Sequence, residues 1–295
     1  MNRRQFTLGS LATAGVGASQ SLAVGPPELA GKMGIVTASL SAHIAKTPTE
    51  AKMTLLDFPQ FMQDDLGLEI IDFNTANFQS FEPNYIEKLR ARIDKTKCIA
   101  TNMKLNQKVD MCSPDPEKRA AAMTAFKKSI DAAKTLGCRW ARPLPRPEKP
   151  DPALQKAAFD ELIDYAGERG ITILVENFGW MMSDENSVVD LVKTLGEKRV
   201  GVGLDTGNWT TNEVRYPALE KTFPLAVTCD FKAKTLTKDF QHGAYELEKC
   251  FQIGWDSGFR GPWCFEHGNR NFSDAKRELI WLREQLEKWI AAAGK

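Results

Sequence analysis

The sequence lacks any apolar run of eighteen or more residues, which argues against an ordinary membrane-spanning helix. It also lacks an excess of charge, because 39 basic and 38 acidic residues leave a formal net charge of +1. Nothing therefore marks a surface for nucleic acid or for an anionic membrane. No Cys-x-x-Cys spacing occurs and only three histidines are present, which argues against a zinc knuckle. The remaining composition, 42% apolar and 26% charged, is that of a globular protein.

The six cysteines do not form a pattern that predicts disulfides, although the chain carries an export-like N-terminus. Four of them fall inside predicted strands that are neighbours in a core: Cys98, Cys138, Cys229 and Cys264. A buried free cysteine behaves as a small apolar residue. We therefore expect the cysteines to serve mainly as core residues.

The chain has no Pro-rich or Ser-rich linker and no fixed-period repeat, which argues against a division into domains. It also has no Gly-x-Gly-x-x-Gly after its first strand, which argues against a doubly wound sheet. Short apolar runs alternate with amphipathic stretches instead. The runs predict strands at 33–38, 68–73, 98–105, 138–143, 171–177, 200–205, 225–232 and 261–266. The stretches predict helices near 50–65, 83–95, 115–136, 152–169, 184–197, 216–222, 244–257 and 272–292. Eight such units predict an α/β fold, a single-domain (β/α)₈ TIM barrel over residues 32–295.

The N-terminus has the composition of an export signal. Arg3-Arg4 precedes a mildly apolar segment, and Ser21-Leu22-Ala23 offers a small-residue cleavage site. The paired arginines favour the twin-arginine route, so residues 1–23 are predicted to be a signal peptide and 24–31 a linker. The mature protein is then expected in the periplasm or another extracytoplasmic space, without stable membrane association. The alternative is a disordered tail that contains Arg-Arg by chance.

Four consecutive predicted strands end in a carboxylate. Strand five ends in Glu176, strand six in Asp205, strand seven in Asp230 and strand eight in Glu266. In a (β/α)₈ barrel these ends meet at the catalytic face. Carboxylates that are buried together must be paired, protonated or bound to a cation. Hard oxygen ligands suit Mg²⁺ or Mn²⁺, so the four residues predict a divalent-metal site, with Zn²⁺ or Co²⁺ as alternatives.

In these positions the chain resembles the xylose isomerase-like barrel superfamily, especially its sugar phosphate isomerase/epimerase members. The resemblance covers about residues 32–290 and rests on "ILVENFG", "VGLDTGNW", the Asp-Phe-Lys strand and "GFRGPWCFEH". It implies that Glu176, Asp205 and Glu266 bind metal, and that Glu176 and Glu266 form the acid/base pair. It also implies a small-molecule sugar as the partner.

The departures from this family are confined to its histidines. Phe178 and Asn208 stand where the family often has histidine, and Asp230 stands where its seventh-strand metal ligand is usually histidine. We interpret Asp230 as the substitute ligand. Lys232, on the same strand face, would offset one excess negative charge and polarise a substrate oxygen. The alternative is a simple Asp230–Lys232 ion pair with loss of metal affinity.

Further polar and aromatic residues on the catalytic face are expected to contact the substrate: Arg142, Asn177, Asn208, Trp180, Trp209 and His242. His267 is expected to point away from the site, because it follows Glu266 directly along the strand. The histidine-rich zinc cluster of the superfamily's DNA-repair endonucleases cannot be built from three scattered histidines. We therefore expect no nucleic-acid partner.

These residues predict an exported, metal-assisted sugar isomerase or epimerase, or a related lyase on a keto-sugar, that uses two glutamates for proton transfer. The alternative is a vestigial carbohydrate-binding barrel that lost catalysis with its histidines. The sequence leaves homo-oligomerisation and the identity of the sugar open.

Overall fold

The computed structural model of the protein describes residues 25–47, 49–234 and 236–294, which form a closed barrel of parallel strands in the order β1 to β8. The strands are β1 Met33–Val36, β2 Ile70–Asn74, β3 Ile99–Leu105, β4 Trp140–Pro143, β5 Thr172–Val175, β6 Val200–Asp205, β7 Ala226–Lys232 and β8 Trp263–Glu266. The helices are α1 Phe58–Phe61, α2 Pro83–Thr96, α3 Pro116–Leu136, α4 Pro152–Gly167, α5 Ser187–Leu195, α6 Asn212–Thr222, α7 Leu247–Asp256 and α8 Phe272–Ala293. The predicted single-domain (β/α)₈ barrel is confirmed.

Two apolar layers hold the barrel together. The larger core packs between strands and helices. A smaller cluster contains one buried residue from each of six strands: Val36, Ile70, Trp140, Leu174, Val227 and Cys264. Successive side chains of a strand point to opposite faces, so one sequence supplies both layers. The same alternation directs the polar residues at the strand ends into the mouth of the barrel.

Aspartates begin two of the helices that surround the site. Asp115 accepts hydrogen bonds from the backbone N–H groups of Glu117 and Lys118, and Asp151 accepts from those of Ala153 and Leu154. Such caps satisfy amides that have no partner within the helix. They fix where the loops after β3 and β4 end.

The prediction of a helix over residues 50–65 is wrong for the first half of that range. The α-helical part is confined to Phe58–Phe61, and a wide turn over Met62–Leu66 ends at Gly67 with φ +63°. Pro59 lies in the first turn of α1. Proline has no backbone N–H and is favoured in the first turn of a helix, and a helix that ran through Pro59 from residue 50 would lose a hydrogen bond there.

Residues 25–31, within the predicted linker, close the bottom of the barrel. A short 3₁₀ turn over Pro27–Leu29 places Leu29, 1% exposed, against the interior apolar cluster. The N–H of Gly31 donates to the carbonyl of Arg260, just before β8. The predicted signal peptide, residues 1–23, lies outside the described residues.

The remaining expectations about composition concern cysteines and membranes. All six cysteines are free, and all but Cys112 are buried. Their burial supports the interpretation of cysteines as core residues. Among the helices of the described chain, none combines the length and apolar character that a bilayer crossing requires.

Candidate active site

Three carboxylates meet at the carboxyl end of the barrel. Glu176 follows β5 directly, Asp205 ends β6, and Asp230 lies in β7 opposite Asp205 in the strand pairing. All three are at most 3% exposed. One oxygen atom of each lies within 4.8 Å of the others. The strand ends predicted to converge therefore do so for these three residues.

Each of these carboxylates has a buried cationic partner. Arg142 of β4 pairs with Glu176, and Lys232 of β7 donates to Asp205 Oδ2 at 2.8 Å. Asp230 is paired with Lys104 of β3, whose side chain is 2% exposed. Since β3 and β7 lie four strands apart in a closed barrel of eight, the Lys104 side chain crosses the interior. Its ammonium group thus lies among the carboxylates.

The electrostatics of the cluster follow from burial and from these pairs. Burial raises the pKa of Asp205 to about 6, although Lys232 opposes the shift. Burial likewise raises the pKa of Asp230 against the effect of Lys104. Burial alone would lower the pKa of each lysine, but the surrounding carboxylates outweigh it and raise both pKa values. Both ammonium groups therefore stay charged at neutral pH.

Glu266, the fourth predicted metal ligand, lies at the edge of this cluster. It is paired with Lys232 along the strands, and its Oε1 lies 2.8 Å from Lys232 Nζ and 3.5 Å from Lys234 Nζ. Burial opposes ionisation of Glu266, but the ammonium groups of Lys232 and Lys104 outweigh it and lower its pKa to about 2. Glu266 is not part of the group whose oxygens lie within 4.8 Å. Its role as a metal ligand stays a prediction.

Two asparagines hold the cluster in place. The Asn177 amide donates to the backbone carbonyl of Asp205 at 2.8 Å and accepts from its N–H at 2.9 Å. Asn208 accepts from Lys232 Nζ at 2.6 Å and donates to Glu176 Oε1 at 3.1 Å. Asn177 thus joins the ends of β5 and β6, and Asn208 links a carboxylate to a lysine. Both were predicted to contact substrate, a role that these bonds leave as a prediction.

A glycine makes room for the second lysine. A Cβ atom at Gly207 would lie 2.6 Å from Lys232 Cδ and 2.4 Å from the Tyr245 hydroxyl. That hydroxyl donates to the Lys232 carbonyl at 2.6 Å. The glycine in "LDTGNW" is therefore required for the close approach between the loop after β6 and the end of β7.

The predicted aromatic and histidine contacts lie in different surroundings. Trp180 is half-buried and has Lys149 Nζ 5.0 Å from its ring centroid. Trp209 is 1% exposed and packs in the core, so its ring does not offer an open face to a sugar. His242 is half-buried and bonds through Nδ1 to the carbonyl of Tyr245 at 3.0 Å, rather than to a carboxylate of the cluster. The role of these three residues as substrate contacts stays a prediction.

His267 points away from the site, as its position along the strand predicted. Its Nε2 lies 2.6 Å from Glu278 of α8. By contrast, the sequence does not indicate a role for Lys104. Its only sequence signal was its place near the end of the third predicted strand, which says nothing about how far a side chain reaches.

The donor set of the cluster suits a hard divalent cation. It consists of carboxylate oxygens, the ligands preferred by Mg²⁺ and Mn²⁺. Asp230 Oδ1 is buried and has no hydrogen-bond partner among the described residues, so it can accept a ligand bond. Asp230 Oδ2, however, already contacts Lys104. The triad of Glu176, Asp205 and Asp230 could thus hold a metal ion, in competition with the protein's own ammonium group.

The family model described as xylose isomerase-like TIM barrel matches residues 64–289. The chain therefore belongs to this family. No curated protein sequence matches it. The expectation of a xylose isomerase-like barrel, drawn from the strand-end motifs, is confirmed.

Several solved structures share the fold at low sequence identity. An L-ribulose 3-epimerase aligns with a TM-score of 0.71 and 16% identity, over 90% of this chain and 97% of its own. The 3-keto-D-glucoside 4-epimerase of E. coli aligns with a TM-score of 0.63 and 14% identity, over 82% and 99%. A xylose isomerase-like barrel from Mycobacterium smegmatis, solved with magnesium, gives 0.63 and 16%, over 89% and 97%. At these identities the similarity shows a shared fold.

Proposed function

We propose that this protein is a sugar isomerase or epimerase that exchanges protons at the carbon next to a carbonyl group, with lyase activity on a keto-sugar as related chemistry. The observation that carries the proposal is the buried cluster of carboxylates, interleaved with two lysines, at the carboxyl end of the barrel. Active sites of (β/α)₈ enzymes lie at this end. Sugar epimerases with this fold make a sugar the favoured substrate.

In this proposal Glu176 and Glu266 perform the proton transfers. Glu266 has a lowered pKa and is ionised at neutral pH, so it begins as the proton acceptor. Glu176, after taking a proton from solvent, delivers it from the other side of the carbon, and Glu266 releases the proton it accepted to solvent. Arg142 and Asn208 hold the Glu176 carboxyl group in place. Microscopic reversibility exchanges the two roles in the reverse direction.

Lys232 would stabilise the negative charge that develops on the substrate oxygen. Its ammonium group contacts Asp205, Glu266 and Asn208, and it is held charged by the carboxylates around it. A fixed ammonium group in a water-poor site stabilises an anion more than it would in bulk water. Lys232 would therefore stabilise an enolate-like transition state.

A divalent ion, Mn²⁺ or Mg²⁺ in this proposal, would be held by Glu176, Asp205 and Asp230, with Glu266 as a fourth ligand. It would supply Lewis acidity to the carbonyl group. The donor chemistry and the unpartnered Asp230 Oδ1 support this assignment.

We also propose export by the twin-arginine route, which is supported by Arg3-Arg4 and Ser21-Leu22-Ala23. An extracytoplasmic enzyme does not meet cytoplasmic sugar phosphates, and the sequence has no Gly-rich phosphate loop. An unphosphorylated sugar or keto-sugar is therefore the favoured substrate.

Deuterium incorporation tests the proposal. The purified protein is incubated in D₂O, with and without Mn²⁺, with a panel of aldoses, ketoses and 3-keto-glycosides, and exchange is followed by NMR. We expect exchange next to a carbonyl group with the wild type, and its loss in Glu176→Gln and Glu266→Gln. Glu220→Gln, which changes an exposed glutamate of α6, is the matched control.

The alternative is a carbohydrate-binding barrel without catalysis. It is favoured by the pairing of every carboxylate in the triad with a protein cation, together with the missing histidines. Saturable sugar binding without exchange of any substrate proton would select it. Exchange that persists in both glutamine variants would remove the glutamate pair from the mechanism.

A further inference from the structure

A cavity of about 300 Å³ lies beside the carboxylate cluster, over the ends of β4 and β5. Its wall is formed by the loops after β3, β4 and β5 and by residues of the helices α3, α4 and α5 that follow them. Most of the lining is apolar, including Val109, Met111, Leu144, Leu154, Trp180 and Met181. Its volume is at the lower end of the range found for small-molecule sites.

Seven of the residues that line this cavity are polar or charged. Glu176, 3% exposed, is the buried carboxylate of the lining. Arg146, Glu148, Lys149 and Asp151 also line it, but they are exposed and so lie at its outer side. Asp110 and Gln155, both half-buried, complete the polar part of the lining. Of the carboxylate triad only Glu176 lines the cavity, so a molecule in it would lie next to this residue and against mostly apolar walls.

The wall of the cavity is a built feature of the fold. The backbone N–H of Trp180 donates to the backbone carbonyl of Arg146 at 3.2 Å, which joins the loop after β5 to the loop after β4. A Cβ atom at Gly179, whose φ is +61°, would lie 2.0 Å from that carbonyl oxygen. Only glycine permits this approach. Lys149 over the Trp180 ring adds a cation–π contact at the rim.

A free monosaccharide does not match these walls. Sugar hydroxyl groups that lose water need hydrogen-bond partners, and apolar side chains provide none. An alkyl or aryl group, in contrast, gains free energy in proportion to the apolar area that it buries. Protein interiors are close-packed, so an apolar space of this size next to a buried carboxylate favours an apolar occupant.

We infer that the cavity is a subsite for an apolar substituent, so that the substrate is a sugar that carries an alkyl or aryl group rather than a free monosaccharide. The inference rests on the proposed function, because it places the sugar ring above the triad and its substituent past Glu176. The reacting carbon then lies at the triad and the aglycone in the cavity.

Binding measurements test the subsite without requiring turnover. Calorimetric titration compares methyl and phenyl glucosides of both anomers with the wild-type protein. For at least one anomer, we expect the phenyl glucoside to bind about tenfold tighter, or more, than the methyl glucoside. Burial of the aromatic ring is expected to raise the affinity by at least about a factor of ten. Phenol alone should give a saturation-transfer NMR signal, and glycerol should give none.

A cavity-filling variant and a matched control separate the subsite from general hydrophobic binding. Leu144→Trp adds bulk to a half-buried residue of the lining, and Val109→Trp does so from the loop after β3 if the first variant fails to fold. Leu225→Trp makes the same change at a half-buried leucine just before β7, at the opposite end of the barrel. We expect the phenyl preference to fall to within about twofold in the filled variants and to persist in the control. Circular dichroism confirms folding.

The outcomes distinguish this inference from the proposed function. Equal affinity for methyl and phenyl glucosides, or a phenyl preference that survives a folded Leu144→Trp or Val109→Trp variant, overturns the subsite. Deuterium exchange with free keto-sugars but no apolar preference overturns it as well and leaves the isomerase proposal intact. Phenol binding that is lost on filling supports the subsite even where no sugar exchanges, in which case the isomerase proposal fails alone.

Discussion

Replacing Lys104 with methionine is expected to destabilise the metal-free protein and to strengthen its binding of Mn²⁺. The substitution keeps an unbranched side chain of similar length but deletes the ammonium group that crosses from β3 to Asp230. Asp230 is 2% exposed, and its Oδ1 already has no hydrogen-bond partner among the described residues. The variant would therefore leave a buried carboxylate without compensation.

The magnitude follows from the burial of the pair. Removal of one partner of a buried ion pair costs about 3–5 kcal/mol, while a domain of this kind has about 5–15 kcal/mol of total stability. A folded but weakened variant is thus expected. Mn²⁺ at about 100 times its dissociation constant would return about 2.7 kcal/mol. Since the ion no longer competes with an ammonium group, we expect its affinity to rise about tenfold or more, or about 1.4 kcal/mol.

Urea unfolding in EDTA and in Mn²⁺, together with calorimetric titration of Mn²⁺, measures these two effects. Lys234→Met is the matched control, because the Lys234 side chain is 60% exposed and lies 3.5 Å from Glu266. Its expected cost is below about 1 kcal/mol, with no change in Mn²⁺ affinity. The reasoning is refuted if Lys104→Met is as stable as wild type in EDTA, or if the wild type binds Mn²⁺ and the variant does not.

Three further predictions concern export, pH and packing. Changing Arg3-Arg4 to Lys-Lys should leave the precursor in the cytoplasm, as shown by cell fractionation and blotting; normal export would remove the twin-arginine assignment. Glu266 has a folded-state pKa of about 2, below its unfolded value, so its stabilisation is present above about pH 4 and is lost as the pH falls through the folded pKa. Chemical denaturation should show a smaller loss between pH 4 and 2 in Glu266→Gln than in wild type, and equal slopes would contradict the pairing with Lys232. Gly207→Ala should destabilise the protein by about 1–3 kcal/mol, because the added methyl group collides with Lys232. Gly243→Ala, which meets nothing within 4 Å, should not, and thermal melting of both compares them.

The sequence was sufficient to predict the barrel and the convergence of its strand ends, because both follow from period-two alternation and from the order of the units. The outward direction of His267 followed from the same alternation and is confirmed by its contact with Glu278. Alternation gives the side of a strand but not the reach of a side chain. The path of Lys104 across the barrel was for that reason not predictable.

The other differences arise from packing and from local backbone chemistry. Trp209 was placed on a loop at the catalytic face, but its ring is buried, since a loop residue can pack inward as readily as outward. The helix near residues 50–65 was predicted too long at its start, because α1 begins only at Phe58, with Pro59 in its first turn. Such details depend on neighbours that are distant in sequence.

The plug formed by residues 25–31 determines where any chain joined upstream would leave the molecule. A Cβ atom at Gly25 would lie 2.5 Å from the Gly261 carbonyl oxygen and 2.9 Å from that of Val227, so Gly25 is seated where β7 and β8 begin. The carboxylates lie where the strands end. A tether attached at Gly25, whether a fusion partner or a solid support, would therefore join the barrel at the end opposite the carboxylate cluster.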